Sequence, residues 1–332
     1  MHTVVRAFAA VACAALAAGT LLAQNPQEKS YGQPPVPKVV AYVEMALEKG
    51  DLEAARAMAA QYRRLYGDTP EALYALSWVA RGELAAGNAS EAVKDAKEIE
   101  TISQVSLGTR KMDAEPYLPL ALGSAYELEA EALAEQHKRA EALQMLRSAQ
   151  LKWRGTSLED RLQKNINLLT LQGRPMPLLK ETQWIGAKPQ TTDQRGKVLL
   201  LFFWAHWCAD CKAEAPVIAK LAGEFGPKGL VVIAPTRLYG YTADDENASA
   251  AKETAFIQKV YDKYYGAIPH AQVPLDGGNF QRFGASTTPT IVLVDRQGIV
   301  RLYHPGVMDE ASLRAAIEPL LKGAAAAAKS SL

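Results

Sequence analysis

The chain has 332 residues, 48% of them hydrophobic and 22% charged, with a formal net charge of +1. That length accommodates two folded domains, and the near balance of charge gives no support for nucleic acid or an anionic membrane surface as the main partner.

Residues 1–23 carry Arg6, an apolar stretch from Ala7 to Leu22 and then Ala23, the pattern of a secretory signal peptide. The stretch is alanine-rich and so a weak membrane span, with an uncleaved N-terminal anchor as the alternative. Only a very short apolar region precedes Cys13, which speaks against a lipid-attachment site there. Removal of the leader would leave Cys208 and Cys211 as the sole cysteines, a composition that suits an exported exchange catalyst because it cannot misoxidise with itself. Residues 24–37 end in Pro34-Pro35-Val36-Pro37 and read as an extended linker.

From 38 to 172 the chain is rich in Ala, Leu, Glu, Lys and Arg, which predicts helices throughout. Met45 to Ala55 is echoed by Gly82 to Ala92, with Gly50 and Gly87 marking turns and small residues at Ala55 and Ala92 where a second helix packs on the first. The pattern resembles degenerate tetratricopeptide repeats, with a third unit around Arg139 to Leu146 after an insertion at 107–119. Such helical pairs serve either as a surface for a protein partner or as a bundle that spaces the rest of the molecule. At Gly173-Arg174-Pro175-Met176-Pro177 the prolines end the helical pattern, and a second domain is expected over 174–323.

In that domain the expected order is a β-hairpin over 178–188, a turn at 193–197, a buried strand Val198 to Phe203 and a helix over 212–225. A short strand 229–234, a helix 248–265, two strands 290–295 and 299–303 joined at Arg296-Gln297-Gly298, and a helix 309–321 follow. Residues 324–332 are expected to form a disordered tail.

The chemistry lies in Trp207-Cys208-Ala209-Asp210-Cys211, directly after the buried strand and at the start of a helix. The first sulfur of such a C-x-x-C faces unpaired backbone N–H groups and the positive end of the helix dipole, which stabilise a thiolate. The second lies one turn on, within reach to close a disulfide. A zinc site would need two further ligands, and no paired histidine motif supplies them. A haem attachment would need histidine where Lys212 stands, and a structural staple would seldom sit where a buried strand meets a helix. These residues therefore read as a redox dithiol that needs neither metal nor bound cofactor.

The string Gly196 to Pro216 resembles the TlpA-like and ResA-like exported branch of thioredoxin-fold proteins. The resemblance implies an α/β thioredoxin fold, a mixed sheet flanked by helices, behind the all-helical region. It implies Cys208 as nucleophile and Cys211 as resolving thiol. Thr287-Thr288-Pro289-Thr290 resembles the cis-proline loop that faces the dithiol, so Thr288 and Pro289, with Trp207, are the expected substrate-binding residues. Glu214 matches an acid that assists proton transfer at the resolving thiol, which a buried carboxyl with a raised pKa can do. Phe202 replaces the buried aspartate of cytosolic thioredoxins. Asp210 between the cysteines opposes thiolate formation while favouring the helix start, and a reductant is expected. His206 is either a tuner of Cys208 or solvated, and Arg237 to Tyr241 is expected beside the substrate cleft.

The reading that follows is an exported thiol-disulfide oxidoreductase acting on protein disulfides through a mixed disulfide, supplied with electrons by another redox protein. One alternative is an interaction module in the helical region, with its own protein partner and a redox-sensing appendage. The other is a peroxiredoxin-like peroxidase, disfavoured because Ala205 stands where that resemblance would require Thr or Ser.

Overall fold

The computed structural model describes residues 35–180, 183–189 and 194–329, with side chains described up to 322. The leader and most of the linker, residues 1–34, lie outside the described residues, as do parts of the expected hairpin and turn and the last three residues. Among the described residues, no helix is long and apolar enough to cross a membrane. The chain divides into two compact units, with the division between Leu162 and Gln163.

The first unit is helical: α1 Lys38–Glu48, α2 Leu52–Tyr66, α3 Pro70–Ala85, α4 Ala89–Leu107, α5 Tyr117–Glu135 and α6 Arg139–Lys152, with α7 Leu158–Thr170 crossing the division. Each turn within a pair takes a left-handed residue: Gly50 (φ 73°), Gly87 (φ 84°) and His137 (φ 62°). Gly at the first two positions relieves the strain that a side chain meets there. Just beyond these turns Ala55, Ala92 and Ala142 are fully buried, so the absence of bulk lets the second helix close on the first. Half-buried ion clusters, such as Glu127 between Arg81 and Arg161 (2.8 and 2.5 Å), join helices far apart in sequence.

The second unit contains β1 Val198–Phe203, α8 Ala209–Phe225, β2 Leu230–Ile233, α9 Ala250–Tyr264, α10 Gly277–Phe283, β3 Thr290–Val294, β4 Val300–Pro305 and α11 Glu310–Lys329. The sheet order is β2-β1-β3-β4. β2 runs parallel to β1, whereas β3 runs antiparallel to it and β4 antiparallel to β3. A βαβ unit followed by an antiparallel hairpin and a closing helix is the thioredoxin topology, as the sequence predicts.

β1 has no exposed face, and its six consecutive apolar residues suit a central strand covered on both sides. Val198, Leu200 and Phe202 join a core with α8, α9 and α11 residues such as Ile218, Ile257 and Leu313. Leu199, Leu201 and Phe203 point the other way, into a core with Phe280, Phe283 and Val292. The two-residue period of the strand thus supplies both layers.

The structure departs from expectation in three places, one of them α10, Gly277–Phe283, a helix where the sequence reading gives no element. Among the described residues 178–188 there is no hairpin: Lys180 exchanges two hydrogen bonds with the Asn279 side chain, Ile185 N–H donates to Val273 O, and Leu275 N–H donates to Gln183 O. These strand-like contacts of the described residues thus run to segments distant in sequence and not within 178–188. At the other end α11 continues to Lys329 where a disordered tail was expected from 324, in keeping with the high helix propensity of the alanine run.

Gly284 ends α10 with φ 59°, and a Cβ there would press on the backbone of Lys164 and stand 2.7 Å from the Gln163 carbonyl carbon. Gly284→Ala should therefore lower stability by about 2–3 kcal/mol through combined strain and clash, read as a lower urea midpoint with an unchanged slope.

Candidate active site

The dithiol is built by the end of β1. Trp204, the next residue, is fully buried, and its indole N–H donates to Ala234 O at 3.0 Å while its carbonyl accepts from Thr236 Oγ1 at 3.0 Å. These bonds fix the loop 204–207, so that Cys208 arrives as the N-cap of α8. Its sulfur accepts the Cys211 backbone N–H at 3.0 Å, the role an oxygen plays at an ordinary N-cap. The helix therefore directs a free amide at the sulfur on which negative charge develops when the disulfide opens.

Cys208 and Cys211 are joined in a disulfide with an S–S distance of 2.06 Å. Cys208 keeps 3% exposure and Cys211 none, so an incoming thiolate meets Cys208 first. Opposite them Thr288-Pro289 is a cis peptide, and Thr288 O lies 3.4 Å from Cys208 Sγ. The structure thus brings Cys208, Cys211, Thr288 and Pro289 to one place, with Trp207 half-buried at its edge. Among the described residues no cluster of three or more His, Cys, Asp or Glu side chains suitable for a metal is present.

An AhpC/TSA family model matches residues 172–303, within the sheet-bearing unit. The chain is 32% identical over 139 residues to the thiol:disulfide interchange protein DsbE of Pseudomonas fluorescens biotype C, a match covering 42% of this chain and 68% of that relative. It is 30% identical over 152 residues to the DsbE of Pseudomonas aeruginosa, covering 45% and 75%. A third relative, the thiol-disulfide oxidoreductase ResA of Bacillus cereus, is 27% identical over 128 residues, covering 39% of this chain and 66% of ResA. The chain belongs to the DsbE family of thiol:disulfide interchange proteins.

In this interchange protein three buried polar atoms near the dithiol have no protein partner: Trp207 Nε1, Thr288 Oγ1 and Glu214 Oε2. Buried polar atoms are usually satisfied, so unpartnered ones in the residues around a reactive pair point to a function that uses them. Glu214 sits three residues past Cys211 on α8 and is 3% exposed. Its other oxygen accepts Met308 N–H at 2.9 Å. Burial pushes its pKa up to about 7, against the opposing pull of the Met308 amide and with a smaller push from the Asp210 charge. Glu214 is thus able to hold or release a proton near neutral pH.

His206 is neither solvated nor free. It is buried, with its ring Nε2 at 3.3 Å from Glu253 Oε1, and burial together with the Lys212 charge lowers its pKa to about 4. With the ring neutral at pH 7, the contact between His206 and Glu253 is a hydrogen bond and not an ion pair. Glu253 also accepts the N–H groups of Tyr239 at 2.5 Å and Gly240 at 2.8 Å. Arg237 to Tyr241 does lie beside Trp207, through an edge-on contact between Trp207 and Tyr239 with ring centres 5.6 Å apart. Phe202, Phe203 and Trp204 are fully buried, so Trp207 alone of the four Phe and Trp residues from 202 to 207 retains accessible surface. Sequence reasoning misses the part played by Glu253, although its spacing of three and four from Phe256 and Ile257 puts it on the apolar face of α9.

The raised Glu214 pKa carries a stability signature. The folded protein holds this proton more tightly than the unfolded chain, so the contribution of Glu214 to stability is fully present below about pH 4.5 and is lost as pH rises towards 7. The span from 4.5 to about 7 corresponds to on the order of 3 kcal/mol. Glu214→Gln should flatten this slope in urea unfolding of the oxidised protein between pH 4.5 and 8.

Proposed function

We propose that the protein reduces disulfides of other exported proteins, with Cys208 as nucleophile and Cys211 as resolving thiol. The observation that carries this reading is the unequal exposure of the two sulfurs at the N-terminus of α8, facing the Thr288-Pro289 loop. In the reduced protein the Cys208 thiolate attacks one sulfur of the substrate disulfide, forms a mixed disulfide and expels a substrate thiolate that takes up a proton. Cys211 then gives its proton to Glu214 and attacks Cys208 Sγ, releasing the second substrate thiol. Two electrons have passed to the substrate, and the Cys208–Cys211 disulfide remains. A dithiol protein upstream returns it to the reduced state.

Thr288 and Pro289 present the backbone edge on which an extended substrate segment lies, and Trp207 supplies apolar contact beside it. The reducing direction is supported by Asp210, exposed on the first turn of α8, whose charge disfavours the Cys208 thiolate and so favours the disulfide over the dithiol. The leader-like residues 1–23 support action outside the cytoplasm.

Cys208→Ser should abolish insulin reduction, whereas Cys211→Ser should accumulate a mixed disulfide that dithiothreitol releases. A redox titration of the wild type should place the pair below about −200 mV. A potential near that of a strong oxidant such as DsbA, about −120 mV, would overturn the reducing direction, and full activity of Cys208→Ser would overturn the site.

A further inference from the structure

The exchange steps above do not use the His206–Glu253 pair, yet His206 stands two residues before Cys208. Glu253 is 1% exposed on the first turn of α9 and gathers three hydrogen-bond partners: the consecutive amides of Tyr239 and Gly240, which donate to it, and the His206 imidazole. Gly240 has φ 86°, a conformation that turns both amides towards one carboxylate and that a side chain would strain. The His206 ring is in turn enclosed by Tyr239, Tyr241 and Phe256, all nearly edge-on with centres 5.1–5.5 Å away. A buried carboxylate with this many partners holds its loop in one geometry, because releasing any partner leaves a desolvated polar group behind.

The loop is linked to the neighbourhood of the dithiol through one ring contact. The half-buried Tyr239 ring meets Trp207, the residue before Cys208, and the neighbouring Leu238 is exposed. Resting on the reading of a protein substrate, we propose that Glu253 and His206 are positioning residues that hold Tyr239 against Trp207, so that Tyr239, Trp207 and Leu238 form an apolar wall selecting polypeptide disulfides flanked by apolar side chains. A small disulfide reaches Cys208 without touching this wall, while a polypeptide must lie along it.

The test compares two substrates in single-turnover reduction by the pre-reduced full chain: insulin, and hydroxyethyl disulfide, which has no chain to reach the loop. Glu253→Gln keeps the size of the side chain but presents an amide group to donors that need an acceptor. The insulin rate constant should fall roughly five- to tenfold, while the hydroxyethyl disulfide rate and the equilibrium potential hold. Tyr239→Ala, which keeps the backbone amide bonded to Glu253 while removing the ring that meets Trp207, should lower the insulin rate similarly, and Tyr239→Phe should restore it. An unchanged insulin rate in both Glu253→Gln and Tyr239→Ala overturns the wall, and so does an equal slowing of both substrates with a shifted potential, which would mean that the pair acts on the sulfurs themselves. Should wild-type protein reduce hydroxyethyl disulfide but not insulin, the protein-substrate reading fails and this inference with it.

Discussion

Everything at the reactive site depends on where β1 stops. The strand is buried on both faces, so its course is set by two cores at once, and the residue that follows it is locked by the Trp204 hydrogen bonds to Ala234 and Thr236. With that point fixed, α8 can begin only at Cys208. The first sulfur then takes the place of a capping oxygen, and the Cys211 amide that would otherwise be an orphan at the helix end becomes a fixed dipole aimed at it. Redox chemistry is thus positioned by the same burial that stabilises the sheet.

Around this point three buried polar atoms are open to a partner outside the described residues. Trp207 Nε1, Thr288 Oγ1 and Glu214 Oε2 are buried without protein partners, although a buried polar atom left unpaired typically costs about 1–3 kcal/mol. In the wall beside them Glu253 shows the opposite arrangement, with both of its oxygens engaged. The contrast separates the roles of these two buried glutamates. Glu214, with an unengaged oxygen and a pKa near 7, is suited to exchange a proton, and the saturated Glu253 is suited to hold a loop still.

Much of this is legible in the sequence because the relevant signals are local. Six apolar residues followed by Trp204 to Cys211 define a buried strand, a tight loop and a helix start without reference to anything distant, and Thr288-Pro289 before Ile291 to Val294 marks the facing loop. Residues 178–188 resemble a hairpin, and the described residues among them do not form one, for the converse reason. Their backbone partners, Asn279 and the segment 273–275, are about 90 to 100 positions away, and no pattern within the segment reveals them. His206 shows the same limit, since two residues from a reactive cysteine an imidazole reads equally well as a tuner or as a solvated ring until the burial supplied by Tyr239, Tyr241 and Phe256 is known.

The sequence by itself determined the dithiol, its place at a helix start, the four strands of the sheet with the helices after β1, β2 and β4, and the helical character of residues 38–172, because each follows from side-chain periodicity or from spacing along a single element. Only the tertiary structure decided which sulfur is reachable, that Glu214 is buried deeply enough to hold a proton near neutral pH, and that Glu253 closes on His206 and two loop amides. Those properties arise from desolvation and from contacts between elements distant in the chain, and burial is a property of the packed whole that no single segment encodes.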